Sequence, residues 1–268
     1  MAQGRGELDG QTGLVIGVAN KRSAAWGIAQ ALHRAGMRLA FTYQGERLKE
    51  PVGELAASLD PAAPVLPLDV TYDEQIDEVF RRVAEAFDGK LNALVHSIGF
   101  APQETFANPF VETRRAAFSI TMDINAYSLV ALARAAAPLM EAAGGGSVVT
   151  MTFLGGERVV PKYNLMGVAK AALEATVKYL AYDLGPRKIR VNAISAGPLR
   201  TLAGRSIPGF PLMEKHVYAN APLREGVDVD EVGRLAAFLA GPGGALITGE
   251  TIHLDAGYHV MGITGPLE

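Results

Sequence analysis

The chain has 268 residues, 49% of them hydrophobic and 20% charged, which is enough apolar material for a large core and too much for a disordered chain. A net charge of −3 gives no electrostatic footprint for nucleic acid. No cysteine is present, which excludes disulfides, thiol catalysis and cysteine–zinc sites, and the five histidines show no ligand spacing, so no metal is expected.

The N-terminal MAQGRGELDGQTG lacks the apolar core of a signal peptide, and no apolar stretch approaches the ~20 residues of a membrane span. A soluble, cytoplasmic protein is expected. In chain order, the first apolar run, Leu14–Gly17, reads as a strand and a helix follows over Ser23–Ala35. Strand patterns recur at Leu39–Tyr43, Val65–Asp69, Ala93–Ser97, Ser147–Thr152, Ile189–Ser195 and Thr251–Asp255. Between them, helical patterns cover Arg47–Leu59, Asp73–Phe87, roughly Phe110–Ala142, Tyr163–Leu184 and Val229–Leu239. The strands are almost continuously apolar, as when helices cover both faces of a parallel sheet. Their alternation with helices predicts one α/β domain over 1–268, a Rossmann-type, seven-stranded, doubly wound parallel sheet. The one long irregular segment is Leu199–Leu223, with a short helical pattern around Met213–Ala219. Its apolar Leu202, Ile207, Phe210, Leu212 and Met213 suit a lid that covers something.

The turn after the first strand, GVANKRSAAWGIA, carries Gly17, Ser23, Ala24 and Gly27. Free N–H groups at a helix N-terminus and missing side chains suit a phosphate, although the three-glycine dinucleotide fingerprint is absent. Ser23 reads equally well as an ordinary helix cap. After the second strand stands Gln44, a neutral hydroxyl-binding side chain where dinucleotide folds discriminate the adenosine ribose, which favours NADH. Arg47 keeps NADPH open as the less favoured cofactor. Asp69 and Val70 end the third strand, where a carboxylate can meet an adenine amino group or cap the following helix. Ser97, Ile98 and Gly99 end the fourth, where small residues let a dinucleotide pass.

Tyr163 and Lys170 stand seven residues apart. On a continuous helix that separation is about 700°, which places both on one stripe about 10 Å apart. A surface helix carries such a pair often enough that the spacing alone decides nothing.

Together, GVANKRSAAWGIA, AFTYQGERLK, VHSIGFAP, LGGERVVPKYNLMGVAKAALEA, RVNAISAGPLRTLA and TGETIHLDAGY resemble the short-chain dehydrogenase/reductases, and within them the NADH-dependent enoyl-acyl carrier protein reductases. Superfamily members ordinarily have Lys four after the Tyr, where this chain has Gly167, and Tyr-x6-Lys is the enoyl reductase arrangement. The resemblance implies reduction of a trans-2-enoyl thioester carried by acyl carrier protein, in the last step of the fatty acid elongation cycle, and a homotetramer. It assigns Tyr163 to the thioester carbonyl and Lys170 to the nicotinamide ribose. Gly17, Ser23, Ala24, Gln44, Asp69, Val70, Ser97, Ile98, Gly99, Leu199, Arg200, Thr201, Leu202 and Ala203 would contact the cofactor. Ala101, Phe153, Tyr163, Ile207 and Phe210 would contact the substrate. Phe153 departs from many bacterial members, which have a second Tyr there, and this puts a catalytic role for that position in doubt. Two alternatives remain at this point. A 3-ketoacyl reductase would need Lys at 167 and usually Ser at 150, where Gly167 and Thr150 stand. A dinucleotide-binding protein without turnover would need neither Tyr163 nor a lid.

Overall fold

The computed structural model describes residues 6–205 and 207–265, and for Ala203 the backbone alone. Seven strands form one sheet, β1 (Thr12–Ile16), β2 (Arg38–Tyr43), β3 (Val65–Pro67), β4 (Ala93–His96), β5 (Gly146–Thr152), β6 (Ile189–Ala196) and β7 (Thr251–Leu254). Their order is β3-β2-β1-β4-β5-β6-β7, and every neighbouring pair is parallel. The order reverses between β1 and β4, so a crevice opens beyond the carboxyl ends of these two strands.

Period-two alternation explains how the sheet is buried on both faces. Leu14 and Ile16 of β1 face a core with Leu94, Val148 and Val191, while Val15 faces another with Phe41, Val95, Val149 and Ile194. The first core is covered by α3 (Asp73–Ala86), α6 (Ser128–Ala142) and α7 (Leu165–Leu184). The second is covered by α1 (Ala24–Arg34), α2 (Glu46–Leu59) and α10 (Val229–Ala240). A capping box of Asp228 and Glu231 starts α10.

Several expectations are corrected. The pattern over Phe110–Ala142 opens with a separate 3-10 turn (Phe110–Glu112), and a continuous helical run from Arg115 to Ala142 follows, made of α5 (Arg115–Met122), a π turn (Asp123–Tyr127) and α6. Arg115–Ala142 does have the length and mean hydropathy of a membrane span, contrary to the sequence expectation, yet 56% of its apolar window is buried inside the protein. It is a core helix. A short helix, α4 (Glu104–Ala107), lies in the segment after β4. The segment 199–223 holds α8 (Leu202–Arg205) and α9 (Phe210–Asn220), so it is largely helical rather than irregular.

Candidate active site

Gly17 closes β1 with φ of 104°, and a Cβ there would meet the Ser97 carbonyl oxygen at 2.0 Å. The absent side chain thus lets the ends of β1 and β4 touch at the switch point. Ser23 occupies the N-cap position of α1, but its hydroxyl turns back to donate to the Asn20 carbonyl at 2.6 Å. Among the described residues no side chain caps α1, so the positive end of the helix at Ala24 faces the turn without a competing side chain. Gly27 has a different task from the phosphate approach its pattern suggests. Its Cβ would meet the Val229 carbonyl oxygen at 2.1 Å, so it serves close packing of α1 on α10.

At the ends of β2 and β3, the Gln44 amide donates to Asp69 Oδ2 at 3.3 Å. The strand ends at Pro67, and Asp69 lies in the turn beyond it. Asp69 does not cap α3; its Oδ1 accepts from the Thr71 amide and hydroxyl. Partial burial pushes its carboxyl upward, but the bonds from Thr71 and Gln44 outweigh this and hold it below the usual carboxylate value. Val70 and Ile98 are half-buried against the core. Gly99 lies beside Asn125, whose amide nitrogen donates to the Phe100 carbonyl at 2.6 Å and to the Thr121 carbonyl at 2.7 Å. The π turn places Asn125 there, and no sequence pattern pointed to it.

Tyr163 is not on the helix the sequence assigned to it. It sits in the preceding turn, its amide bonded to the Val160 carbonyl at 3.0 Å, and Asn164 breaks the helical path with φ of 43°. The phenol ring is 6% exposed, meets Phe153 edge-on at 5.1 Å and packs with Phe106 and Met166. Ala101, Val160 and Ile207 complete this apolar cluster. Phe106, Val160 and Met166 belong to no motif, and only the folded chain brings them to Tyr163. Lys170 lies in α7, also 6% exposed, with Nζ donating to the Met151 carbonyl at 2.8 Å. Burial lowers the Lys170 ammonium to about 8, and the nearby Glu174 works against that shift. Burial raises the Tyr163 phenol well above its ordinary value, with Glu174 adding to the effect, so it remains protonated through the neutral range.

The segment after β6 bears the remaining expected contacts. Leu199 packs on the core, and the Thr201 hydroxyl accepts from the Gly204 amide at 2.9 Å, starting α8. Arg200 donates through Nε to Glu214 of α9 at 2.7 Å, which ties the turn after β6 to α9. Leu202 is exposed, and the side chain of Ala203 lies outside the described residues. Phe210 is buried, but against Gly204 rather than in the Tyr163 cluster, so it fastens α9 to α8. A cavity of about 660 Å³ is lined by Phe153 and Val160 together with Pro208, Leu212, Met213, Tyr258 and Met261. The site therefore joins three parts, a switch-point crevice with a helix N-terminus, a buried cation, and a phenol set in an apolar recess. That combination suits a dinucleotide and an apolar chain meeting at Tyr163. Among the described residues no group of three or more metal-ligating side chains occurs.

The family model described as enoyl-(acyl carrier protein) reductase matches residues 17–259. The enoyl-acyl carrier protein reductase (NADH) of Bacillus subtilis is 49% identical over 254 residues, covering 94% of this chain and 97% of that protein. The solved Bacillus cereus enoyl-acyl carrier protein reductase, in complex with NADP+ and indole naphthyridinone, has a TM-score of 0.93 and 48% identity, covering 96% of this chain and 100% of its own. The solved Aquifex aeolicus enoyl-acyl carrier protein reductase (NADH) has a TM-score of 0.92 and 45% identity, covering 96% of this chain and 100% of its own. By sequence along nearly its whole length and by fold, the chain belongs to the enoyl-acyl carrier protein reductase family.

Proposed function

We propose that the protein reduces trans-2-enoyl thioesters on acyl carrier protein, with Tyr163 and Lys170 as its two working side chains. The observation that carries this reading is the placement of a protonated, buried phenol and a buried ammonium beside one switch-point crevice. The residues fit a dinucleotide. Lys170 has three N–H donors and gives one to Met151, which leaves donors for the ribose hydroxyls. The uncapped start of α1 suits the pyrophosphate, and the Gln44–Asp69 pair suits the adenosine end. A neutral Gln44 held by a carboxylate favours a ribose hydroxyl over a 2′-phosphate, in keeping with NADH.

NADH, when bound, supplies the hydride that reaches the β-carbon of the enoyl group. As that bond forms, the double-bond electrons move toward the thioester oxygen, and Tyr163 donates its hydrogen bond to the growing negative charge. Such a donor acts more strongly on the transition state than on the ground state. The carbonyl then re-forms as the α-carbon takes a proton drawn ultimately from solvent, which completes the saturated thioester. Lys170 orients the ribose and adds a positive charge on the same side. Phe153 packs against the phenol edge and carries no hydroxyl, so it walls the recess and cannot share the donor role. The cavity that Phe153 lines takes the acyl chain, with α9 and the turn before it as its cover.

The family resemblance implies a homotetramer in the cytoplasm, and exposed apolar side chains, Tyr179 and Tyr182 on α7 and Phe238, Leu246, Val260 and Ile263 elsewhere, are available for contacts between subunits. Mixing the protein with NADH and a crotonyl thioester, and following loss of NADH absorbance, tests the reaction. Consumption with a ketoacyl thioester but not with the enoyl one would overturn it, and an NADPH arm reads the cofactor choice.

A further inference from the structure

Behind Lys170 lies a carboxyl that the reaction as described does not use. Glu174 follows Lys170 by four residues on α7, so it lies one turn away on the same face, and it is 8% exposed. The Thr152 hydroxyl donates to Glu174 Oε1 at 2.5 Å. Thr152 directly follows Met151, whose carbonyl holds the Lys170 ammonium. The strand end thus grips both members of the pair, the cation through its backbone and the acid through a side chain. Gly156 makes the space, since a Cβ there would stand 2.7 Å from Glu174 Oε1. Burying a carboxylate is costly unless it is paired or protonated, so a recess shaped for one implies a task.

We propose that Glu174 is a positioning residue for cofactor binding, a buried acid whose negative charge keeps Lys170 an ammonium, seated on the Met151 carbonyl with its remaining donors directed at the ribose. The proposal rests on the reading of Lys170 as the ribose ligand. The other groups facing the pair are few. His96 of β4 faces Lys170 but is fully buried and held neutral, pushed down to about 3 by burial and then by the Lys170 charge. Tyr163 stays protonated. On the outer side, Glu157 and His253 of β7 face Glu174 and are bonded to each other at 2.6 Å. Burial raises the Glu174 carboxyl and Glu157 adds to this, while the Thr152 bond, Lys170 and His253 oppose it. Lys170, lowered to about 8 by its burial, is held up by Glu174.

The test is the NADH dissociation constant measured by fluorescence from pH 6 to 10 for the intact protein and for Glu174→Gln, Glu174→Asp and Lys170→Met. Glutamine keeps the shape and an oxygen for Thr152 but removes the charge. The wild type is expected to lose affinity with a midpoint near 8. Glu174→Gln is expected to move that midpoint down, the direction given by removing an opposite charge one helical turn away, and Glu174→Asp, which keeps the charge, to move it less. An unmoved midpoint in Glu174→Gln, with Lys170→Met binding NADH at least tenfold more weakly, overturns the proposal. Unchanged affinity in Lys170→Met overturns instead the ribose-ligand reading beneath it. If Glu174→Gln does not fold, Thr152→Val decides. Loss of the hydroxyl that steadies the ionised acid should lower the midpoint in the same sense, and an unmoved midpoint overturns the proposal.

Discussion

Gly155→Ala offers the sharpest check on how Tyr163 is aimed. A Cβ at Gly155 would stand 2.3 Å from Tyr163 Cδ1 and 2.7 Å from Cε1. Carbon atoms in contact settle at about 3.5–4.0 Å, so the ring must retreat by more than about 1 Å. Phe153 closes one side at 5.1 Å, and Met166 and Phe106 pack against the ring elsewhere, so it cannot retreat without tilting. The phenol oxygen, at the far end of the ring, moves with it. A misplacement of about 1 Å in a group that must meet a reacting atom costs on the order of 10²-fold in rate. The overpacking itself costs about 1–3 kcal/mol, which leaves a domain of this size folded. Steady-state turnover of a crotonyl thioester at saturating NADH should therefore fall by about two orders of magnitude. NADH affinity should hold within about twofold, because Lys170 hangs from Met151 and not from Gly155. A folded Gly155→Ala protein with turnover within threefold of wild type would refute the claim that this glycine sets the phenol.

Tyr163→Phe removes one hydrogen-bond donor and should lower kcat by about 10²–10³-fold. A titration with NADH should then show wild-type affinity, and equal losses of turnover and affinity would place Tyr163 on the cofactor instead. Ile207→Ala, opening the wall beside Tyr163, should change selectivity between short and long enoyl chains. Phe210→Ala should act mainly by loosening α8 from α9, as a fall in melting temperature larger than any change in selectivity. His96, neutral down to about pH 3 when folded, binds a proton in the unfolded chain near 6.5. Its neutral form therefore stabilises the fold fully above pH 6.5, and that contribution is lost as pH falls toward 3, by about 2 kcal/mol at pH 5. Denaturant unfolding of His96→Asn should show a flatter dependence between pH 6.5 and 5 than wild type, and an equal slope would contradict it.

The alternation of apolar runs made the sheet, its parallel sense and its strand count readable, because burial on both faces leaves a continuous signal in each strand. Elements whose form depends on tertiary partners were not readable. The π turn that swings Asn125 toward the Phe100 backbone arises inside a stretch whose helical periodicity is unbroken. Gly27 carried the appearance of a phosphate-turn glycine, yet its contact is Val229, some two hundred residues further along. The bond from Arg200 to Glu214 was not readable either, since it depends on a helix, α9, that begins three residues before the helical pattern of the sequence. Glu174 carries no signal in the sequence, because nothing local marks which face of α7 meets the strand end.

The Tyr163–Lys170 spacing keeps its diagnostic value but not the geometry first inferred from it. The two residues do not share a helical stripe, since Tyr163 precedes the helix and Asn164 turns the chain between them. What the helix does relate is Lys170 and Gly167, three residues and about 4.5 Å apart on nearly the same face. Gly167 is where the carbonyl-reducing relatives would carry their lysine. Here a Cβ would meet the Gly155 carbonyl oxygen at 2.6 Å, so no side chain fits while Gly155 lies against the phenol. The same close approach that presses the loop onto Tyr163 therefore moves the cation one turn further along α7. There it finds the Met151 carbonyl above and Glu174 beyond, and the spacing is a consequence of how the phenol is packed.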